Sequence, residues 1–417
     1  MQVARLNLRH LRVFREVAHC RSVSRAAPVV HLSQPAITQA IARLEDQLGT
    51  RLFDRRSDGM APTQAGALFL ARVERALALL RNGAREAQRL AARRQGSGSR
   101  AGGFADFEAL ASMAQLRALV AVSAAENFSL AARTLGVAQP SLHRAARDLE
   151  RLSGLSLYVR TSSGIALTGS AAALAQAARL AFAELEQGFA ELDDLAGLDR
   201  GRTTVGALPL PRSHLLPAAI EALLARRPEV QVAVVDGPYA DLLHDLRHGG
   251  IDLLVGALRD PLPIDDIVQE PLFSDPLAVV GRAGHPLGGR KRIGLDDLTA
   301  HPWVLPRAGT PTRDSFERLF AGRTAPPCCV ETSSLVLVRA LLAGSDRLTL
   351  ISTHQIRHEV ATGQLAPLPF PLPGSARPIG VTMRRDWRPT AAQGLFLDGL
   401  RQAGRQLSGT GHYSETE

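Results

Sequence analysis

Apolar positions along this chain follow two different rhythms. From about residue 6 to 95 they recur at i, i+3 and i+4 with few breakers, which predicts nearly continuous helix. The breaks that do occur divide it into helices at 7–20, 24–31 and 34–48, a short hairpin turning at Ser57-Asp58-Gly59, and a long helix. Ser24 and Ser33 are placed to cap the second and third helices, and Gly49 to end the third. Pro35 falls in a first turn, where its missing N–H costs nothing. Residues 96–103 lie in the Gly/Ser stretch QGSGSRAGG and read as a flexible linker. No strand precedes that stretch and no Gly-Lys-Ser/Thr follows, so it is not a phosphate loop. From 203 onward short apolar runs (204–208, 230–235, 253–256, 277–280, 348–351, 379–383) alternate with helical segments, as in an α/β domain with a buried sheet. Residues 403–417 read as a disordered tail.

The helical region repeats itself. A shift of 105 residues aligns 8–63 with 113–168 without a gap, with roughly a third of positions identical. Ser24-x-Ala26-Ala27 matches Ser129-x-Ala131-Ala132, and Gln34-Pro35 matches Gln139-Pro140. Leu44-Glu45 matches Leu149-Glu150, and Gly59-x-Ala61-x-Thr63 matches Gly164-x-Ala166-x-Thr168. Each copy leads into an Ala/Leu-rich helical run.

Charge distinguishes the copies. The 417 residues carry 49 Lys+Arg and 40 Asp+Glu, a net charge of +9. Residues 1–100 hold 18 arginines against 7 acids (+11), 101–200 hold 8 against 11 (−3), and 201–417 hold 23 basic residues against 22 (+1). A first quarter that basic suits a polyanion, most simply nucleic acid. Three cysteines cannot build a disulfide framework, and no stretch approaches the ~18 uncharged apolar residues of a membrane span. A cytoplasmic protein with no membrane partner is expected. Cys328 and Cys329 read as buried thiols. His244/His248 and His354/His358 have an i, i+4 spacing but no companion acids or thiolates of a closed metal site. No catalytic signature occurs, so neither an enzyme nor a cofactor is expected.

In the first copy Ile37, Ile41, Leu44 and Leu48 form the apolar face of the third helix, with Thr38, Gln39 and Arg43 on the other side. Amide, hydroxyl and guanidinium groups near a helix N-terminus are what a helix-turn-helix needs to read the major groove. The run Arg51-Leu52-Phe53-Asp54-Arg55-Arg56 leads into a wing whose arginines suit flanking phosphates. The segment from LNLRHLRVF through SQPAITQAIARLEDQLGTRLFDRR to APTQAG closely resembles the winged helix-turn-helix of LysR-type transcriptional regulators. The resemblance implies that Ser33, Gln34, Pro35, Thr38 and Gln39 face double-stranded DNA, supported by Arg43, Arg55 and Arg56. It also implies that the following helix is a dimerising linker. Two departures stand out: Pro28 lies inside the second helix, and Gln39 stands where the family often has arginine. The second copy has Arg144 at that position, His143 in place of Thr38 and Ala138 in place of the capping serine. Gln139, Pro140, His143 and Arg144 are thus candidates for a second, weaker reader. The same copy equally fits a packing and dimerisation module or a degenerate structural duplicate.

Phrases such as TTVGALPLPRSHLLPAAIEALLARRPEVQVAVVDGPYADLL and VETSSLVLVRALLAGSDRLTLIS resemble the LysR effector domain, nearest the branch that regulates protocatechuate breakdown and sugar-binding proteins. The resemblance implies a two-lobed, type 2 periplasmic-binding-protein-like fold with an effector, a carboxylate or a sugar, between the lobes. Pro209, Leu210, Arg212, Ser213, Tyr239, Arg307, Thr310, Arg313, Thr332 and Ser333 are the candidate contacts, the arginines as bidentate carboxylate partners. The expected chain is multi-domain: two all-α winged helix-turn-helix copies plus the α/β effector domain. Its segments are a winged helix-turn-helix at 1–66, a linker helix at 67–95 and the flexible linker at 96–103. A second, degenerate winged helix-turn-helix at 104–171, a linker helix at 172–200, the effector domain at 203–402 and the tail complete it. The expected function is ligand-responsive control of a catabolic or uptake operon by a homodimer or homotetramer, with RNA polymerase as a further partner. The alternative is a cytoplasmic sensor or solute-binding protein whose helical region serves assembly.

Overall fold

The computed structural model describes residues 3–409 apart from 57–58, 96–106, 163 and 263. The chain divides into two compact units, residues 1–201 and 202–417. The expected flexible linker at 96–103 lies outside the described residues.

In the first unit α1 (Leu8–Cys20), α2 (Val23–Val30) and α3 (Gln34–Leu48) precede the hairpin β1 (Phe53–Arg56) and β2 (Gly59–Pro62) and the long helix α4 (Gln64–Gln95). A short helix α5 (Phe107–Leu110) follows. The series then recurs as α6 (Met113–Ala125), α7 (Phe128–Leu135), α8 (Gln139–Ser153), β3 (Tyr158–Thr161), β4 (Gly164–Leu167) and α9 (Gly169–Leu195). Matched positions also make matched bonds. Glu45 accepts the N–H groups of Leu52 (2.8 Å) and Phe53 (3.4 Å), and Glu150 accepts those of Leu157 (2.9 Å) and Tyr158 (3.3 Å). Each glutamate ties the end of a third helix to its hairpin, which explains the Leu-Glu pair in both copies.

Two capping expectations are corrected. Ser22 caps α2, its Oγ accepting the Arg25 N–H at 3.3 Å, while Ser24 lies inside the first turn. Ser33 holds the extended N-cap conformation of α3, but its side chain makes no capping bond. Pro28 is accommodated on the exposed side of α2, two residues before its end, where His31 turns the chain with a φ of 54°.

Helices α4 and α9 pack antiparallel along a small-residue seam. A Cβ on Gly83 would lie 2.2 Å from the Ala177 Cβ, and one on Gly188 would lie 3.0 Å from the Phe69 ring. Phe69 and Phe189 meet edge-on at 6.1 Å, and Leu77, Leu80, Leu174 and Leu185 are fully buried around them. Into this apolar seam goes Arg72, only 4% exposed. Its guanidinium donates to Glu184 (2.9 Å), Gln187 (2.6 Å) and Glu191, and Arg75 reaches Glu184 from the next turn (2.8 Å). A buried ion group is costly to desolvate and is tolerated only when its donors and acceptors are satisfied.

The second unit has two lobes. The first is a five-stranded sheet of order β6-β5-β7-β14-β8, built from β5 (Arg202–Ala207), β6 (Gln231–Asp236), β7 (Leu253–Ala257), β8 (Ile267–Asp275) and β14 (Arg377–Arg384). It carries α10 (Leu215–Leu224), α11 (Tyr239–Arg247) and the last helix, α16 (Ala391–Gly409). The other lobe contains a sheet of order β12-β9-β13 from β9 (Leu277–Arg282), β12 (Thr349–Ser352) and β13 (Leu365–Pro367). A parallel pair, β10 (Trp303–Leu305) with β11 (Cys328–Glu331), adjoins it. Helices α12 (Leu295–Thr299), α13 (Pro311–Leu319), α14 (Leu335–Ala343) and α15 (Arg357–Ala361) complete this lobe, whose core centres on Trp303 against Phe316 at 5.0 Å.

Two expectations change here. Helix α16 continues to Gly409 with Ala403 and Leu407 buried against the first lobe, so the polar tail does not begin at 403. Cys328 and Cys329 are exposed, because β11 is paired on one side only, by β10.

The seam makes two predictions. Arg72→Ala takes the guanidinium from Glu191 and leaves Glu184 with Arg75 alone, and is expected to cost about 3–5 kcal/mol, read by denaturant unfolding of helical circular dichroism. Burial raises the Glu184 pKa, but the bonds from Arg75 and Arg72 outweigh it and hold the carboxyl below its ordinary 4.5. Its stabilisation is therefore present above pH 4.5 and disappears as pH falls through the depressed value. An acid titration of the wild type should show that loss, and one of Glu184→Gln should lack it.

Candidate nucleic-acid interface and ligand cavity

Helix α3 is held by Ile37, Ala40, Ile41 and Leu44, all buried. The opposite face begins with Ser33, Gln34 and Pro35 and continues through Thr38, Gln39 and Arg43, every one of them exposed. Thr38 returns its hydroxyl proton to the Gln34 carbonyl (3.0 Å), leaving its lone pairs and methyl outward. The unbonded Ser33 hydroxyl and the free N–H groups of the first turn form a donor cluster at the positive end of the helix dipole, which suits a phosphate. Arg55 and Arg56 lie on β1, the first strand of the wing.

The second copy presents a different surface. Gln139, Pro140 and Arg144 are exposed on α8. Gln139 accepts a bond from Ser129 (3.1 Å), and no hydroxyl stands at Ala138. His143 does not project freely: it is half-buried and stacks on Phe128 at 3.9 Å between centroids. An aromatic at 128 captures the ring, and copy one has Val23 at the matching position.

In the second unit a cavity of about 690 Å³ opens between the lobes. Pro209, Leu210, Arg212, Tyr239, Arg307, Thr310, Thr332 and Ser333 line it; Ser213 and Arg313 do not. Arg313 instead turns to Glu317 (2.9 Å) and Glu331 (3.5 Å). Ser213 closes a 3-10 turn over Pro211–Ser213, its N–H on the Leu210 carbonyl. The N-termini of α11, α13 and α14 reach the wall through Pro238, Thr310 and Ser334. The sequence reading missed Arg259 and Arg377. Arg259 stacks over the Tyr239 ring at 4.5 Å, and Arg377 enters from the first residue of β14. Nothing local marks either as a site residue: Arg377 is brought there by the pairing of β14, and Arg259 lies two residues past the end of β7.

Arg377 is held by Asp275 (3.3 Å) and Thr312, and Asp275, wholly buried, also receives the Ser352 hydroxyl. Burial lowers the Arg377 pKa and raises that of Asp275, in each case against the partner's charge. The buried Arg377 Nε has no protein partner among the described residues. His244 and His248 stack at 3.8 Å, and His248 Nδ1 lies 2.7 Å from the His244 carbonyl. No group of three His, Cys, Asp or Glu suited to a metal occurs among the described residues. No helix there is long and apolar enough to cross a membrane.

An N-terminal helix-turn-helix with an exposed helix face and a wing, together with a two-lobed cavity domain, defines a DNA-binding regulator that takes a small molecule. Residues 8–67 and 113–172 match the bacterial regulatory helix-turn-helix protein, lysR family, and residues 196–405 match the LysR substrate binding domain. The chain is 36% identical over 398 residues to the HTH-type transcriptional regulator GalR of Pseudomonas putida, across 95% of this chain and 97% of that one. It is 31% identical to the HTH-type transcriptional regulator PcaQ of Agrobacterium fabrum, across 70% and 94% respectively. Full-length OxyR C199D from Pseudomonas aeruginosa is similar in structure, with a TM-score of 0.51 at 25% identity over 69% of this chain and 97% of that one. The chain belongs to the LysR family of transcriptional regulators, and it is a regulator rather than an enzyme.

Removing Arg377 would leave Asp275 buried without its cation. Arg377→Ala is expected to destabilise the second unit by about 3–5 kcal/mol at neutral pH. The deficit should shrink on acidification, because burial already raises the Asp275 pKa and the unpaired acid takes up a proton. Thermal unfolding at a series of pH values checks this; a deficit that grows at low pH contradicts the pairing.

Proposed function

We propose that this regulator carries a tandem, duplicated DNA-binding region and reads operator DNA chiefly through α3. The observation that carries the reading is the contrast between two matched helices. Gln34, Thr38, Gln39 and Arg43 are all exposed on α3, whereas His143 on α8 is stacked against Phe128. The +11 charge of residues 1–100 against −3 for 101–200 points the same way. The second copy then serves as a subordinate reader and as the packing partner of the first. The reading keeps its segments at 1–66, 67–95, 104–171, 172–200 and 203–402, and the work is done in the cytoplasm where operator DNA lies. Assembly into a homodimer or homotetramer and contact with RNA polymerase belong to the same reading.

The effector is an anion, most simply a small carboxylate. Arg212, Arg259, Arg307 and Arg377 line the cavity, three helix N-termini end at its wall, and the buried Nε of Arg377 needs an acceptor. Binding between the lobes favours one arrangement of the oligomer and so alters its grip on DNA.

Binding to the upstream intergenic duplex should weaken steeply with salt, and Arg43→Ala should weaken it more than Arg144→Ala. Equal losses would remove the priority of α3; absence of binding would leave a small-molecule sensor. Small carboxylates should raise the melting temperature of the wild type and less that of Arg307→Ala, whereas stabilisation by neutral sugars alone would refute the anionic effector.

A further inference from the structure

We infer that α4 and α9 are matched to each other and not to copies of themselves, so that one chain closes its own seam and carries a complete pair of unlike reading heads. The pairing has the internal symmetry of a dimer. Gly83 packs on Ala177, and Gly188 packs on Arg72, and the 105-residue shift exchanges these two contacts. The leading segments cross over in the same way. The 3-10 turn Val3–Arg5 packs on α6 and α9, and α5 packs on α1 and α4, where Glu108 meets Arg15 and Arg81, each at 3.2 Å.

The side chains break the symmetry. Positions matching Arg72 and Arg75 are Ala177 and Leu180, and positions matching Glu184 and Gln187 are Leu79 and Asn82. Two α4 helices together would set Arg72 and Arg75 against Leu79, keeping only Glu86 as a carboxylate in reach of Arg72. Two α9 helices would set Glu184 against Ala177 and Leu180, a buried carboxylate with no cation. Packing follows the same logic: Phe69 meets Phe189, while their counterparts are Leu174 and Ala84. Unpaired charge disfavours both self-pairings, which is how specificity between similar helices arises.

The chain is long enough to close. Residues 96–106 number eleven and can span at most ~36–40 Å. The helical path from Arg81, beside Glu108, to Gln95 is about 21 Å. Resting on the DNA reading above, the consequence is an operator of two unlike half-sites per chain. One faces Thr38, Gln39, Ala42 and Arg43; the other faces Arg144 and Arg147, with Asp148 in the place of Arg43.

The test uses the full chain with Cys20, Cys328 and Cys329 replaced by serine and with Arg75→Cys and Glu184→Cys introduced across the seam. A short bis-maleimide should give, on denaturing gels, a cross-linked species of one-chain mass at every protein concentration. A product of two-chain mass would show the seam forming between chains, and no cross-link would show no seam; either overturns the inference. Because those cysteines remove part of the ion cluster, charge reversal provides a second measurement. Arg72→Glu should lose α4 amide protection, and adding Glu184→Arg and Glu191→Arg in the same chain should restore it. Dividing these substitutions between two mixed chains should not. Rescue on mixing, or no rescue within one chain, overturns the matched pairing. A cross-linked chain that fails to bind DNA would sink the DNA reading and leave the seam intact, so the two failures are distinguishable.

Discussion

The first unit depends on one buried guanidinium. Arg72 enters a seam of alanines, leucines and glycines where water cannot follow, and it is acceptable there because Glu184, Gln187 and Glu191 converge on it. The glycines make the approach close enough for that convergence, and the phenylalanines fill what the glycines leave. Apolar packing alone would let either long helix pair with any similar helix. The ion cluster selects the partner.

The second unit uses the same device at its own centre. Asp275 stands at the end of β8, one residue before the chain crosses into β9 of the other lobe, and binds Ser352 from that lobe and Arg377 from its own. This buried acid bonds to both lobes and orients Arg377, which lines the cavity. Any anion in the cavity would meet a cation whose position is already fixed by Asp275 and Thr312.

Helices α3 and α8 show how two matched frameworks can present different surfaces. They share a 105-residue register, a proline in the first turn and a glutamate that ties the helix to its wing. They differ along the face itself, at the matched positions 33/138, 38/143, 39/144 and 43/148. Phe128 gives His143 something to stack on, and the ring leaves the reading face. Ala138 removes the hydroxyl that Ser33 keeps available. The core residues of the copy hold α6, α7 and α8 together whatever its exposed face presents.

What the sequence by itself determined was everything carried by periodicity and local chemistry: the helices, the hairpins, the repeat, six of the effector-domain strands and the outward face of α3. These depend on neighbours within a few turns, so they survive in a one-dimensional reading. Local reading also erred where a cap could sit at either of two serines, at Ser22 instead of Ser24, and where a polar run hid the buried Ala403 and Leu407 of α16. Only the tertiary structure decided that Arg377 and Arg259 reach the cavity while Arg313 turns away, that Cys328 and Cys329 lie exposed on a strand paired on one side, and that Arg72 finds its acids 112 to 119 residues later. The reason is the same in each case: the partner is remote in sequence, and its distance is set by packing that no local pattern encodes.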